Sequence, residues 1–357
     1  MKSTYHRLSL AVVAAGIVLT SACSVQTPGP STTAPATAAA AAQASPVTSP
    51  ESVAKVDESS HLGIAFFGFA RANSFASATW AGIEGYAKSH NATAEFFDPN
   101  FDAQKQASQI QDAVTSGRYQ VFIVQANDGT AVLPAVEQAV AAGITVVVEF
   151  TPIGTRYDTR EPQVPGTLTL IDVPTDNGKQ LGAIGLEACK EAGTKPCNVA
   201  YLEGFKTLPL DNARTKAVVD TLEAGGATVI ASVEGGYTNE SGRKAMQDIL
   251  QSHPNVTVVI GSSQAIAGAE SAAGQGSQIR FVGNGGSVQA VEAVRSGRWF
   301  GTVCAPERTS GATAAALGLA KARGGVVPST TAYAALSPVA NSCTSETVAQ
   351  AQGEYDE

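Results

Sequence analysis

The sequence predicts an α/β protein whose chain folds into two lobes, each built on a parallel β-sheet. From residue 61 onward, short runs of Val, Ile and Leu alternate with longer segments that have a helical period. Continuous apolar strands separated by helices are typical of parallel sheets covered by helices on both faces. About ten such units exceed one ordinary open sheet, and residues 151–165 interrupt the pattern before it resumes. The number of units and the interruption together predict two sheets.

Each predicted element follows from its residue types. β-branched and aromatic residues favour strands, whereas apolar side chains at every third or fourth position favour helices. The strands are predicted at 63–69, 94–97, 121–125, 145–150, 168–173, 199–202, 228–233, 256–260, 280–282 and 301–303. The predicted helices include 74–89, 103–116, 131–142, 213–224 and 243–251.

Residues 1–22 are predicted to be an export signal. A basic start that includes Lys2 and Arg7 precedes a short apolar run at 8–19, which is too short to span a bilayer. The segment resembles a bacterial lipoprotein signal, in which cleavage before Cys23 frees that cysteine to receive lipid, although Thr20 stands where Leu is usual. We therefore expect an extracytoplasmic protein, lipid-anchored through Cys23 to the outer face of the cell membrane. An ordinary secretory signal is the alternative.

Composition separates a linker from the folded part and excludes one class of partner. Residues 23–60 are mostly Ala, Ser, Thr and Pro, so they are predicted to be a disordered tether. The whole chain of 357 residues is 44% hydrophobic and 15% charged, which is enough apolar surface for a large core. Its formal net charge of -8 comes without a basic block, so nucleic acid is not an expected partner.

Four further cysteines are predicted to form disulfides, because an even number in an exported chain favours oxidised pairs. Cys189 and Cys197 bracket a short turn and form the natural local pair, which leaves Cys304 with Cys343. Zinc is the alternative, but no histidine lies near these positions.

A series of short motifs in the folded part is similar to the sugar-type (type I) periplasmic solute-binding proteins of bacterial ABC transporters. The resemblance runs from about residue 62 to about residue 340. The motifs, in chain order, include Asn73-Ser74-Phe75, Gln104-Lys105-Gln106, Asn127-Asp128-Gly129-Thr130, Asn212-Ala213-Arg214 and Gly301-Thr302-Val303. The resemblance implies two Rossmann-like lobes with parallel sheets, joined by a three-segment hinge, that close on one small molecule and present it to an ABC transporter permease. It also implies a monomer without a cofactor.

The resemblance also implies where the lobes meet. The first lobe would comprise 61–166 plus 305–330 and the second 167–304 plus 331–345, with 346–357 as a tail. The crossovers would lie near 166–171, 304–308 and 334–339. The Cys304–Cys343 pair would then bridge the hinge region and limit its flexing.

The candidate ligand-binding residues come from the ends of strands, where ligands bind in open parallel sheets. The resemblance assigns ligand contacts to Asn73 and Phe75 in the first lobe and to Arg214 and Tyr237 in the second. Arg71, two residues before Asn73, is added because it follows the first strand directly.

The remaining candidates are positions where this chain departs from the sugar binders it resembles. Phe150 stands at the first position of a pair that is Asp-Arg in many sugar binders, and Glu149 precedes it. Ser262 stands where an Asn is usual, and Asn284 directly precedes the position of a usual aspartate. Ala305 stands where a glutamine is usual. Most carboxylates that would hold sugar hydroxyls are therefore expected to be missing.

The expected ligand is a sugar or a polyol, delivered to an ABC importer. A small carboxylate, aromatic ones included, is the alternative ligand, and a sensory lipoprotein that signals to a membrane receptor is the alternative role. No nucleotide loop or serine-nucleophile motif is present in the sequence, and aspartates after strands commonly cap helices, so no enzyme is expected.

Overall fold

A computed structural model describes residues 45–357 of the protein. The predicted signal segment, the lipidation site Cys23 and the tether up to residue 44 lie outside the described residues. Among residues 45–357, no helix combines the length and the hydropathy needed to cross a membrane.

Strands and helices alternate along the described chain. The strands are β1 Leu62–Phe67, β2 Ala92–Phe97, β3 Val121–Val124, β4 Thr145–Phe150, β5 Leu168–Ile171, β6 Asn198–Glu203, β7 Thr228–Glu234, β8 Val258–Ser262, β9 Arg280–Asn284, β10 Gly301–Val303, β11 Thr330–Ala332 and β12 Ser342–Thr344. The helices are α1 Ser74–Ser89, α2 Ala103–Ser116, α3 Leu133–Ala141, α4 Pro174–Ala192, α5 Pro209–Ala224, α6 Asn239–Ser252, α7 Ser263–Ala273, α8 Val288–Arg295 and α9 Glu307–Ala322. Short 3₁₀ turns lie at Pro50–Ser52, Tyr333–Leu336 and Val348–Gln350.

The strands form two six-stranded sheets, as predicted. The first has the order β11-β5-β4-β3-β1-β2, and the second has the order β12-β10-β9-β8-β6-β7. All pairings are parallel except that of β10 with β12. The ten predicted strands are all present, with ends that differ by up to a few residues. The prediction missed β11 and β12, which have three residues each and carry too short an apolar pattern to recognise.

The first strand shows how the sequence covers both faces of a sheet. Successive side chains of a strand point to opposite faces. Ile64 and Phe66 therefore pack in the core cluster that contains the buried side of α9, whereas Ala65 and Phe67 pack in the cluster under α2 and α3. All four side chains are fully buried, so an uninterrupted apolar run is what this central strand requires.

The lobe boundaries differ from the predicted ones. The structure places β5 in the first sheet, between β4 and β11, although the prediction assigned residues from 167 to the second lobe. The interruption at 151–165 is a loop between two neighbouring strands of one sheet, not the boundary between lobes. The first crossover therefore follows Ile171, and the other two lie at 304–306 and 333–341.

Two segments predicted to lie outside the lobes are packed against them. Val47 and Val53, within the predicted tether, are buried in the first-lobe core, and Arg323 Nη2 donates to the carbonyl oxygen of Ser60 at 3.1 Å. In the predicted tail, Tyr355 is buried. Isolated apolar residues anchor both segments, and average composition did not reveal them.

Both predicted disulfides are present in the structure. Cys189–Cys197 joins the end of α4 to the residue before β6, with Cα atoms 5.6 Å apart. Cys304–Cys343 joins the residue after β10 to β12, with Cα atoms 5.8 Å apart. The second bond therefore fastens two of the three crossovers to each other where they meet the second sheet.

Candidate ligand-binding cleft

A cavity lies between the two sheets, at the carboxyl ends of their strands. Its volume is about 60 Å³, which suits a small solute. The cavity is lined by Phe69, Asn73, Phe75, Phe101, Phe150, Asp172, Leu208, Leu210, Arg214, Tyr237, Gln264, Asn284, Gly285, Ala305, Glu307 and Tyr355.

The two lobes touch each other across this cavity. Gln264 Nε2, at the start of α7 in the second lobe, donates to Ser74 Oγ, at the start of α1 in the first, at 3.1 Å. The rings of Phe101 and Phe205 meet edge to face across the lobes, with centroids 5.4 Å apart. The structure therefore shows the two lobes closed on each other.

Aromatic rings form the first-lobe wall. Phe75 and Phe150 meet at a centroid distance of 4.6 Å, and Phe69 contacts Phe150 edge to face at 6.1 Å. Phe150 directs its ring into the cleft from a left-handed backbone conformation with φ 62°. That conformation is rare for a bulky residue and costs on the order of 1–3 kcal/mol, which is typical of functional sites.

A buried ion pair forms the second-lobe wall. Arg214 Nη1 lies 2.9 Å from Asp211 Oδ1, one helical turn earlier on α5. The Tyr237 hydroxyl donates to the same carboxylate oxygen at 2.5 Å, and the backbone N–H of Phe205 donates to the other one at 2.8 Å. Arg214 Nε has no hydrogen-bond partner among residues 45–357. The charge of Arg214 is therefore compensated within the protein, while Nε and Nη2 make no hydrogen bond among the described residues and remain for a ligand.

Carboxyl groups gather where the crossovers meet. Asp172 and Glu307 line the cavity, and Glu149 lies behind it, where its Oε1 accepts from Ser310 Oγ at 2.7 Å. Glu307 Oε2 accepts from the Tyr333 hydroxyl at 3.1 Å. Burial raises the pKa of Glu149 to about 7 and that of Asp172 to about 6. Burial also raises the pKa of Glu307 well above its usual range.

The two-lobed architecture with a ligand-sized interlobe cleft has a match among protein families. A family model described as "Periplasmic binding protein domain" matches residues 64–325. The chain belongs to the periplasmic binding protein family. Its members bind solutes and are not enzymes. No curated protein sequence matches the chain.

Solved structures of periplasmic binding proteins share the fold. One from Actinobacillus succinogenes with bound D-allose is 20% identical, with a TM-score of 0.68, and covers 81% of this chain and 99% of its own. One from Mycobacterium smegmatis with bound glycerol is 20% identical, with a TM-score of 0.68, and the match covers 84% of this chain and 100% of the M. smegmatis chain. A Caulobacter protein with bound myo-inositol is 19% identical, with a TM-score of 0.68, and covers 84% and 98%.

This periplasmic binding protein brings most of the predicted site residues together. The predicted residues that line the cavity are Asn73, Phe75, Phe150, Arg214, Tyr237 and Asn284. The other three lie elsewhere. Arg71 is exposed and stacks on Phe96, with its guanidinium carbon 4.4 Å from the ring centroid. Glu149 lies behind the cavity, and Ser262 caps α7 by accepting from the Ala265 backbone N–H at 3.1 Å.

Several lining residues were missed by the sequence prediction. The expectation that most carboxylates are missing concerned the positions used by the sugar binders, whereas Asp172 and Glu307 bring two carboxyl groups to the cavity from other positions. Asp172 directly follows β5, so the rule for the carboxyl ends of strands could have found it. The misplaced lobe boundary hid it. Glu307 is the first residue of α9, directly after a crossover, and Tyr355 lies in the predicted tail, and no motif marks either residue.

The raised pKa of Glu149 predicts that the protein loses stability as pH rises from 5 to 8. The carboxyl has an ordinary pKa of 4.5 and a folded pKa of about 7, so the folded state binds more protons in this window. Stability therefore falls with rising pH, by up to about 3 kcal/mol from this group. Urea unfolding across this range should show a shallower decline for Glu149→Gln, with the decline due to Asp172 remaining. Glu84→Gln, on the exposed side of α1, should follow the wild type, and an equal slope for Glu149→Gln would contradict this assignment.

Proposed function

We propose that this periplasmic binding protein captures a small neutral sugar or polyol between its lobes. The observation that carries this proposal is the charge balance of the cleft. Arg214 is already paired with Asp211, and Asp172 and Glu307 face the same cavity. A carboxylate ligand would meet these acidic groups without a free cation to neutralise it, which is costly in a buried site.

The lining groups suit hydroxyl recognition. Arg214 and Asn284 carry N–H donors at the cavity, and Asp172 carries acceptor oxygens. Phe75 and Tyr237 offer flat apolar faces from opposite lobes, as sites for small polar ring molecules commonly do. The sugars and polyols bound by proteins of the same fold support this choice of ligand class.

Thermal unfolding of the full-length protein, purified in detergent, tests the ligand class. The panel would contain D-allose, D-ribose, myo-inositol and glycerol as neutral compounds, and D-glucuronate and benzoate as carboxylates. A compound at a thousand times its dissociation constant adds about 4 kcal/mol of stability, which raises Tm by several degrees. We expect shifts with neutral compounds. Shifts with the carboxylates alone would reject the proposal in favour of an acid-binding protein.

We further propose that Cys23 carries the lipid anchor and that the closed form is delivered to an ABC transporter permease. The small-residue exit of the export signal before Cys23 supports the anchor, and the solute-binding family supports the delivery. Cys23→Ser should abolish incorporation of labelled palmitate and release the protein from membranes. Pull-down from native membranes should recover the permease, whereas recovery of a receptor would favour the sensory role.

A further inference from the structure

Residues 353–357 bring Tyr355 to the wall of the cavity and are fastened to the second lobe through their backbone. The N–H of Val288, at the start of α8, donates to the carbonyl oxygen of Tyr355 at 2.8 Å. The N–H of Glu354 donates to the carbonyl oxygen of Gly286 at 3.2 Å. These two bonds fix the backbone from which the side chains of Glu354 and Tyr355 extend.

The same segment is also bound to the first lobe. The Glu354 carboxylate accepts from the Thr309 backbone N–H at 2.9 Å and from Thr309 Oγ1 at 2.5 Å. Thr309 lies in the first turn of α9, whose N-cap residue Pro306 makes no side-chain cap bond. A carboxylate at that position stabilises a helix N-terminus. Glu354 therefore supplies a cap to a first-lobe helix from a segment held on the second lobe.

This double attachment places Tyr355 in the cavity wall. Tyr355 is 7% exposed, and its hydroxyl lies near Ser263 but makes no hydrogen bond of normal geometry among residues 45–357. Gly285 leaves space mainly for Ser263 and also for Tyr355, because a Cβ atom there would lie 2.1 Å from Ser263 Oγ and 3.1 Å from the Tyr355 hydroxyl. A buried hydroxyl without a partner costs about 1–3 kcal/mol, so a ligand group that bonds to it would recover that free energy.

We infer that Tyr355 is a ligand-contacting, specificity-determining residue of the cleft, held in place by residues 353–357. The inference rests on the proposed function, because it takes the ligand to be a neutral polyhydroxylated molecule. A phenol both donates and accepts a hydrogen bond, so it matches a ligand hydroxyl. Its ring forms part of the cavity wall, so it also limits the space open to the ligand.

Calorimetric titration of the full-length protein with D-allose, D-ribose and myo-inositol tests the contact. For a compound that binds the wild type, Tyr355→Phe should lower the affinity by roughly 2- to 10-fold, which is the loss of one hydrogen bond. Tyr355→Ala should lower it further, because the ring contact is lost as well. Asp356→Asn is the matched control, since Asp356 is exposed and should bind like the wild type. Unchanged affinity in both Tyr355 variants would overturn the inference.

A second measurement needs no sugar and separates failure of this inference from failure of the proposed function. In the full-length protein, Tyr355→Cys and Asp356→Cys would each be reacted with a maleimide under native conditions. The thiol at 355 should react at least about tenfold more slowly, because it is shielded in the cleft wall. Slow labelling supports the placement of Tyr355 even if none of the three compounds binds. Equal rates at the two positions overturn it even if a sugar does bind.

Discussion

Replacing Arg214 with Ala is expected to weaken ligand binding by the full-length protein at least about 30-fold. Arg214 is 5% exposed and lies in the wall of the cavity, and its Nε has no partner among the described residues. Truncating one partner of a buried charged hydrogen bond costs about 2–5 kcal/mol, which lowers affinity by roughly 30-fold to more than 1,000-fold. Calorimetric titration with the tightest-binding compound of the thermal-shift panel measures the loss.

The controls for Arg214 separate binding from folding. Arg214→Ala leaves Asp211 buried without its cation, which costs stability as well. Arg214→Lys keeps the charge but loses the planar fork, so it should fold better and still bind weakly. Lys216→Ala lies on the same helix, where Lys216 is exposed and paired with Asp220, and should bind like the wild type. Affinities within threefold of the wild type for both Arg214 variants would remove Arg214 from the site.

Replacing Gly82 with Ala is expected to destabilise the first lobe strongly. Gly82 is the point at which α1 approaches α9, and a Cβ atom there would lie 1.9 Å from the carbonyl oxygen of Arg308 and 2.8 Å from the backbone N of Ala312. Backbone atoms cannot move aside as a flexible side chain can, so the two helices must separate. Overpacking of this kind costs about 1–3 kcal/mol, and more where the backbone is rigid. Because α9 begins at Glu307, its displacement should also weaken ligand binding.

The same helix provides the matched control for Gly82. Gly85 is exposed, and no atom lies within 4 Å of the Cβ position there. Gly85→Ala should therefore stabilise the protein by about 0.5–1 kcal/mol through helix propensity alone. Urea unfolding of both variants gives the two free energies. If Gly82→Ala left stability unchanged or raised it as Gly85→Ala should, the close contact between α1 and α9 would be wrong.

The fold could be predicted from the sequence wherever local pattern decides structure. The apolar run of β1 and the helical period of α1 needed no distant information. The assignment of β5 to a sheet did need distant information, because the residue pattern of a strand is the same whichever sheet the strand joins. The loop at 151–165 looked like a lobe boundary for that reason. The packed segment near Val47 and the packed segment near Tyr355 were missed because one or two anchoring side chains barely change the average composition of a segment.

The site was predictable only in part, for a physical reason of the same kind. The resemblance assigned Asn73, Phe75 and Arg214 from short motifs in the neighbouring sequence, and all three line the cavity. Glu307 and Tyr355 reach the cavity through contacts between residues far apart in the chain. Arg71 shows the opposite error, since it follows the first strand but stacks on Phe96 outside the cleft. Position after a strand predicts the end of the sheet but not the direction of the side chain.

A crystal structure of the protein grown with the compound that gives the largest thermal shift would show whether the two lobes hold the solute between them. We expect the compound to lie in the interlobe cavity, with one of its hydroxyl groups bonded to Arg214 of the second lobe and one of its faces against Phe75 of the first. A compound bound outside the cleft, or in contact with one lobe alone, would contradict capture of the solute between the two lobes.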